Sequence, residues 1–216
     1  MPEMLEKAKI RQVPILQTDE PTTLFMGELV RWLKVKLAPR ITMHGVLVDI
    51  YGEGVLITGE SGIGKSETAL ELIRRGHRFV ADDAVEIKKV SNQSLVGTSP
   101  DVIRHLIELR GIGIIDVMAM FGVQSIKRTQ TIDLCLQLEV WDKTKEYDRL
   151  GNAEDYKEIL GNKVPTNKIP IRPGRNTAII CESAAINNRL KRSGHNATQI
   201  LSDRVMENLK NSQGGV

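Results

Sequence analysis

The chain has 216 residues, 41% hydrophobic and 26% charged, with 30 basic and 27 acidic side chains for a net charge of +3. That balance supplies a core, excludes a wholly disordered chain, and is too weakly basic to argue for nucleic-acid binding. Two distant cysteines, Cys135 and Cys181, with no ligand-spaced partner, speak against a disulfide scaffold or a structural zinc site and for a reducing cytoplasm. No apolar run reaches the roughly 18 residues needed to span a bilayer, and the acidic start is unlike a signal peptide.

Residues 1–40 read as a charged helix over Met1–Gln12 and a second helix that opens at Asp19-Glu20-Pro21 and stops before Pro39. Phe25, Met26, Leu29, Val30, Leu33 and Leu37 form its apolar stripe, expected to pack on a core with Arg31, Lys34 and Lys36 solvated. Val46–Ile50 and Val55–Thr58 around Gly52-Glu53-Gly54 read as strand, turn, strand. A helix follows with Ala69, Leu70, Leu72 and Ile73 inside, and Gly76 ends it. Arg78–Ala81 is a strand closing on Asp82-Asp83, and Val85–Val90 with Ser94–Val96 is a hairpin. Ser99-Pro100 is expected to open a helix carrying Val102, Ile103, Leu106 and Ile107. Thr131–Val140 reads as one buried strand, 142–168 as a polar excursion, and Ile169–Ile171 as a last short strand. Helices over Thr177–Arg192 and Ala197–Leu209, the second capped by Asn196, close the chain. Lys191 and Arg192 are expected only to complement a helix terminus. The fold class is α/β, a mixed sheet flanked by helices around a phosphate loop.

That loop is Gly59-Glu60-Ser61-Gly62-Ile63-Gly64-Lys65-Ser66, a G-x-x-x-x-G-K-[ST] match between a predicted strand and a predicted helix. Glycines let successive N–H groups converge on phosphate oxygens, and the helix N-terminus favours an anion. Lys65 can reach terminal phosphates, and the Ser66 hydroxyl can ligate magnesium. Three apolar runs end in an acid and can supply a second acidic motif: at Asp82-Asp83, at Asp116 and at Asp142. The first is distinctive, because neighbouring side chains of an extended chain diverge, one toward a metal and one toward an acceptor hydroxyl. A GTPase is disfavoured, since Asn162-Lys163-Val164-Pro165 and Asn167-Lys168-Ile169-Pro170 both lack the aspartate of a base-reading motif. Phosphate-loop ATPases, small-molecule kinases and nucleotide sensors stay open on the loop alone.

Further motifs are more specific. Met43-His44-Gly45-Val46, Glu67–Leu72 after the loop, Arg75-Gly76-His77-Arg78, Glu108–Val117, Tyr147-Asp148-Arg149-Leu150-Gly151 and Pro170–Asn176 follow in an order and spacing that closely resembles HPr kinase/phosphorylase, a bacterial regulator of phosphotransferase sugar uptake. The resemblance runs from about residue 13 to 209. Val123–Gln130 and Cys181-Glu182-Ser183 depart from the family pattern. The resemblance implies a bifunctional enzyme of carbon catabolite regulation. It phosphorylates a serine of the carrier protein HPr with ATP or pyrophosphate and removes that phosphate by phosphorolysis, giving pyrophosphate. It also implies site roles. His44, Lys65, Asp83 and Arg149 are catalytic, with Asp83 the proton acceptor in one direction and the donor in the other. The loop Gly59–Ser66 holds phosphates, Ser66 and Glu108 hold Mg2+, and the dephosphorylation segment is Pro170, Ile171, Arg172, Pro173, Gly174 and Arg175. A cytoplasmic homo-hexamer is implied, with no nucleic-acid or membrane partner. Residues 1–40 then correspond to the tail of a mostly missing N-terminal domain, and 41–216 to the catalytic domain.

Overall fold

The computed structural model describes residues 2–148 and 155–213. It divides into two compact units at Ala38/Pro39. The first holds α1 (Pro2–Ile10) and α2 (Thr22–Lys36). The apolar stripe of α2 does not form a core: Met26 is 51% exposed and Leu37 76% exposed, and Leu29 and Leu33 are only half-buried. The reason is size, since two short helices cannot enclose a core of their own.

The second unit is layered. A six-stranded mixed sheet has the order β11-β12-β10-β3-β2-β4, built from β2 (Val46–Ile50), β3 (Glu53–Gly59), β4 (Arg78–Ala81), β10 (Leu134–Val140), β11 (Asp155–Ile159) and β12 (Asn162–Ile171). Strands β3, β10 and β12 are parallel neighbours, and the remaining pairs are antiparallel. Helices α3 (Lys65–Arg74) and α5 (Thr177–Arg192) cover one face; α6 (Ala197–Gln213) follows. The other face meets an antiparallel sheet, β1-β5-β6-β9, of β1 (Arg40–His44), β5 (Ala84–Lys89), β6 (Leu95–Thr98) and β9 (Thr129–Thr131).

Burial on both faces explains the unbroken apolar runs, because alternate side chains enter different cores. Val46, Val48, Val55, Ile57, Leu134, Leu136 and Leu138 join Ala69, Leu72, Ala178 and Cys181 on the helical side. Leu47, Leu56 and Cys135 join Val85, Ile87 and Leu95 between the sheets. Helices therefore flank only one face, and a second sheet takes the other.

Several expected elements differ. The stretch after Ser99-Pro100 is a 3-10 turn at Asp101–Ile103, then strand β7 (Leu106–Leu109) paired with β8 (Gly113–Asp116) in a small separate sheet. His105, at φ +67, breaks any helix there, and Ile107 and Leu109 alternate inward as a strand requires. Asp116 instead caps α4 (Val117–Phe121), accepting from the Ala119 amide at 3.0 Å. Thr131–Val140 is two strands, β9 and β10, because Asp133 turns away to accept from the Gly54 amide at 2.8 Å. The polar stretch 142–168 is not an excursion over its described part. Leu160 and Gly161, at φ +51 and +77, form a tight hairpin turn between β11 and β12, and Ile159 and Val164 are buried there. Arg192 does more than cap α5, since it meets Asp133 at 3.1 Å and also Glu53. No helix among the described residues is long and apolar enough to cross a membrane.

Candidate active site

Strand direction assembles the site. β3 and β4 both run antiparallel to β2, so their carboxyl ends lie on one edge of the sheet, where β2 begins. The loop after β3, the Asp82-Asp83 pair after β4, and His44-Gly45 just ahead of β2 therefore converge. The carboxyl edge of a sheet is where open α/β folds bind ligands.

Gly59 ends β3 at φ +145 beside Leu138, whose carbonyl oxygen a Cβ would meet at 2.5 Å; only glycine fits. The loop then enters α3 at Gly64. The Lys65 ammonium is buried and donates to the Gly59 and Glu60 carbonyls at 3.0 and 2.9 Å. Burial lowers its pKa, against the opposing pull of Asp82 and Asp83. The Ser66 hydroxyl donates to both Asp82 carboxylate oxygens, at 2.9 and 3.1 Å. Asp82 is 5% exposed and accepts the Glu108 amide at 3.3 Å. Burial raises its pKa, although Ser66 and the Glu108 amide work the other way.

Asp83 turns outward with φ +65, a left-handed conformation that aspartate tolerates better than most residues. His44 Nδ1 lies 3.0 Å from the Asp83 backbone oxygen and 3.0 Å from Oδ1. Facing two acceptors, Nδ1 carries a proton, and the other carboxylate oxygen of Asp83 stays open to the pocket. The two aspartates diverge, Asp82 to Ser66 and Asp83 to His44, but through the left-handed turn at Asp83 rather than through the alternation of an extended chain.

A pocket of about 550 Å³, counting its open mouth, unites these groups and is lined by His44, Ser61, Lys65, Ser66, Asp82, Asp83 and Glu108 among others. Its donors are hard oxygens. The Ser66 hydroxyl with Glu108 and Asp82 nearby suits Mg2+, which keeps much of its water and leans on substrate phosphates. No ready cluster of three metal-ligating side chains exists among the described residues. Within the loop, Ser61, Gly62 and Gly64 face the pocket, whereas the Ile63 side chain packs toward the core.

One expected site region lies elsewhere. Pro170 and Arg175 line a second cavity, with Gln137 and Glu139 of β10, Thr166 of β12, Trp141 and Tyr147. Arg175 donates to the Pro170 carbonyl at 2.7 Å, and the Arg172 guanidinium lies 3.3 Å from the centre of the Trp141 ring. Arg149 is outside the described residues. Arg110, which lines the pocket and donates to the Ser61 hydroxyl at 3.0 Å, escaped the sequence reading although it sits inside the Glu108–Val117 motif. Asp82 was singled out with Asp83, but which of the two turns to Ser66 depends on a backbone twist that spacing does not give.

The molecule is a mixed α/β protein in which a strand, a glycine-rich loop matching G-x-x-x-x-G-K-[ST] and a helix present a buried lysine opposite carboxylates at one sheet edge. More narrowly, the chain belongs to the HPr Serine kinase C-terminal domain family, which matches residues 35–205. It is 66% identical over 197 residues to an HPr kinase/phosphorylase of Lachnoclostridium phytofermentans, covering 91% of this chain and 64% of that one. It is 58% identical over 212 residues to the Caldicellulosiruptor bescii protein of that name, covering 98% and 68%. It thus spans roughly two thirds of their length. The HPr(Ser) kinase/phosphatase structure from Coxiella burnetii superposes with a TM-score of 0.67 at 38% identity, over 74% of this chain and 98% of that chain.

Proposed function

We propose that residues 41–216 form the catalytic domain of a bifunctional kinase/phosphorylase acting on a serine of HPr. The observation that carries the reading is the His44–Asp83 pair opening into the same pocket as Lys65 and Ser66. In the kinase direction the serine hydroxyl enters beside Asp83. Its proton passes to the open Asp83 oxygen as the Oγ–P bond forms and the bond to the ADP oxygen breaks. His44, donating to Oδ1, fixes the carboxylate. Lys65 and the loop amides offset charge on the phosphates. In reverse, inorganic phosphate attacks phosphorus, pyrophosphate forms, and Asp83 returns the proton to the serine.

Ser66 and Glu108 would hold Mg2+, which when bound neutralises charge on the donor oxygens. Arg149 belongs to the same reading as an active-site cation, and Pro170–Arg175 as the segment tied to phosphorolysis. ATP and pyrophosphate serve as donors, and a cytoplasmic homo-hexamer is the expected form, which light scattering checks. Incubation with HPr, ATP and Mg2+, followed by mass spectrometry, should place one phosphate on a serine. Phosphate and Mg2+ should then remove it and yield pyrophosphate. Failure of both reactions overturns the reading.

A further inference from the structure

A further cleft opens where β3 and β10 end, on the other side of the phosphate loop from Asp83. Counting its open mouth it measures about 1310 Å³, and it is lined by Gly59, Glu60, Gln137, Glu139, Asp142 and Lys143 among others. The carbonyls of Gly59 and Glu60 hold the Lys65 ammonium, so the cleft and the phosphate pocket share a wall. Strand order decides which way the cleft faces. In the run β10-β3-β2-β4, Asp83 follows β4 on one side of the loop, and β10 lies on the other, parallel to β3 with Leu138 beside Gly59. In-line phosphoryl transfer sets the leaving oxygen opposite the attacking one. An acceptor hydroxyl at Asp83 therefore directs the rest of the donor across the loop, toward β10.

The chemistry of the lining says what fits there. Glu60, Glu139 and Asp142 outnumber Lys143 and Lys145, so the cleft does not gather another phosphate, and a neutral group suits it. The two acids on the β10 side are already committed. Glu139 meets Lys145 at 3.3 Å, and Asp142 accepts from the Thr144 amide at 2.8 Å and hydroxyl at 2.7 Å. Gln137, half-buried on β10, makes no side-chain hydrogen bond among the described residues. Its carboxamide offers a donor and an acceptor side by side, the complement of the N6/N7 edge of adenine. We propose that this cleft seats the nucleoside of the phosphoryl donor, and that Gln137 reads the base and selects adenine. This rests on the phosphoryl-transfer reading above. Pyrophosphate carries no nucleoside and leaves the cleft unused, so one loop can serve both donors.

The test binds ADP, GDP and inorganic pyrophosphate, each with Mg2+, to the whole chain by calorimetry, in wild type, Gln137→Ala and Gln137→Arg. Kinase rates on HPr and melting temperatures accompany it. Gln137→Ala should weaken ADP about 3–10-fold, the scale of a lost hydrogen bond, while pyrophosphate stays within about twofold of wild type. Gln137→Arg carries donors only. It loses the acceptor for the adenine amino group and matches the O6/N7 edge of guanine, so the ADP-to-GDP affinity ratio should move toward GDP by about tenfold. A merely structural role would weaken all three ligands alike. If Gln137→Ala melts early, Gln137→Met keeps the length and carries the comparison. ADP and pyrophosphate weakened equally, or a base ratio unmoved in Gln137→Arg, overturns the proposal. Wild type that binds pyrophosphate but no nucleotide also overturns it, and leaves the loop assignment standing. Wild type that binds ADP through Gln137 without phosphorylating HPr upholds the cleft and overturns only the acceptor assignment. Wild type that binds none of the three overturns both.

Discussion

Two cavities lie against the same six-stranded sheet, and they are built differently. The pocket at Lys65 and Asp83 is fixed by backbone: Gly59 wedged against Leu138, Lys65 on two loop carbonyls, Asp83 in a left-handed turn tied through His44. The cavity at Trp141 and Arg175 follows strand residues of β10 and β12 and is bordered by stacked loop side chains: Arg172 on Trp141, and Trp141 on Tyr147 at 4.7 Å between ring centres. A backbone-built pocket holds its groups where a reaction needs fixed distances. A cavity held by stacked loops can rearrange at low cost, which suits a segment used in one direction of a reversible reaction. The comparison separates changes that should stop both directions from changes that should tilt the balance.

The largest effect is expected at Asp83. Asp83→Asn keeps the size and tolerates φ +65, so the turn should survive, but the amide cannot take the serine proton. Kinase and phosphorolysis rates should fall together, by about 10²–10⁴-fold. Nucleotide affinity should stay close to wild type because Lys65 and the loop amides remain. If one direction stays near wild type, Asp83 is not the shared proton carrier.

The next effect tests whether the first pocket depends on strand register. Asp49 on β2 is 2% exposed and accepts from Arg78 of β4 at 2.6 Å, Lys127 at 2.7 Å and the Gly52 amide at 2.7 Å. Burial alone would raise its pKa, but Lys127, the Gly52 amide and Arg78 together hold it below the ordinary value. The folded chain therefore binds fewer protons here than the unfolded chain. The stabilisation is complete above about pH 4, the unfolded value, and is lost as pH falls through the lowered folded value. Asp49→Ala should cost about 3 kcal/mol at neutral pH, because two cations lose a buried partner, and the cost should shrink in acid. Urea unfolding of both proteins at pH 7 and pH 3 checks it; an equal difference at both values refutes the assignment.

The two cavities also differed in how legible they were. The loop, its strand and its helix could be read because G-x-x-x-x-G-K-S demands a strand before it and a helix after it, and the apolar runs on each side have matching lengths. The convergence of His44 and Asp83 was not readable from spacing, since it arises from pairing β2 between β3 and β4; the family motif supplied it. Strand β11 and the part of β12 ahead of Ile169 escaped because Lys157, Lys163, Asn167 and Lys168 mask their alternation, while Ile159, Asn162, Val164 and Thr166 turn inward. The helix expected after Ser99-Pro100 failed for a local reason. A cap and a proline at the right spacing open a turn, but His105 in the left-handed region ends it before a second turn can form.

A smaller and directional effect is expected at Arg175. Its guanidinium donates to the Pro170 carbonyl, closing the segment on itself beside the second cavity. Arg175→Ala should reduce phosphorolysis about tenfold more than kinase activity, the scale of one hydrogen bond from a charged group. Equal losses in both directions would place this segment with the first pocket and erase the distinction between the two.

The smallest effect concerns the stack itself. The Trp141 indole Nε1–H is buried with no acceptor among the described residues, so the ring is held by its faces rather than by its edge. One face carries Arg172 and the ring also stacks on Tyr147, whose hydroxyl accepts the Asp142 amide at 3.1 Å and pins the loop that follows. Arg172 is solvent-exposed, so the cation–π contribution should be about 0.5–1 kcal/mol. A double-mutant cycle of Arg172→Ala and Trp141→Leu in urea unfolding isolates it, because each single change removes the contact and the double change removes nothing further between them. Stability alone would show only a surface contact. The accompanying readout is the KM for phosphate in phosphorolysis, which should rise in both single variants and no further in the double, while the KM for ATP stays fixed. Zero coupling in stability together with additive KM changes would mean that the two loops are positioned independently, and that the second cavity owes its shape to the strand ends, as the first one does.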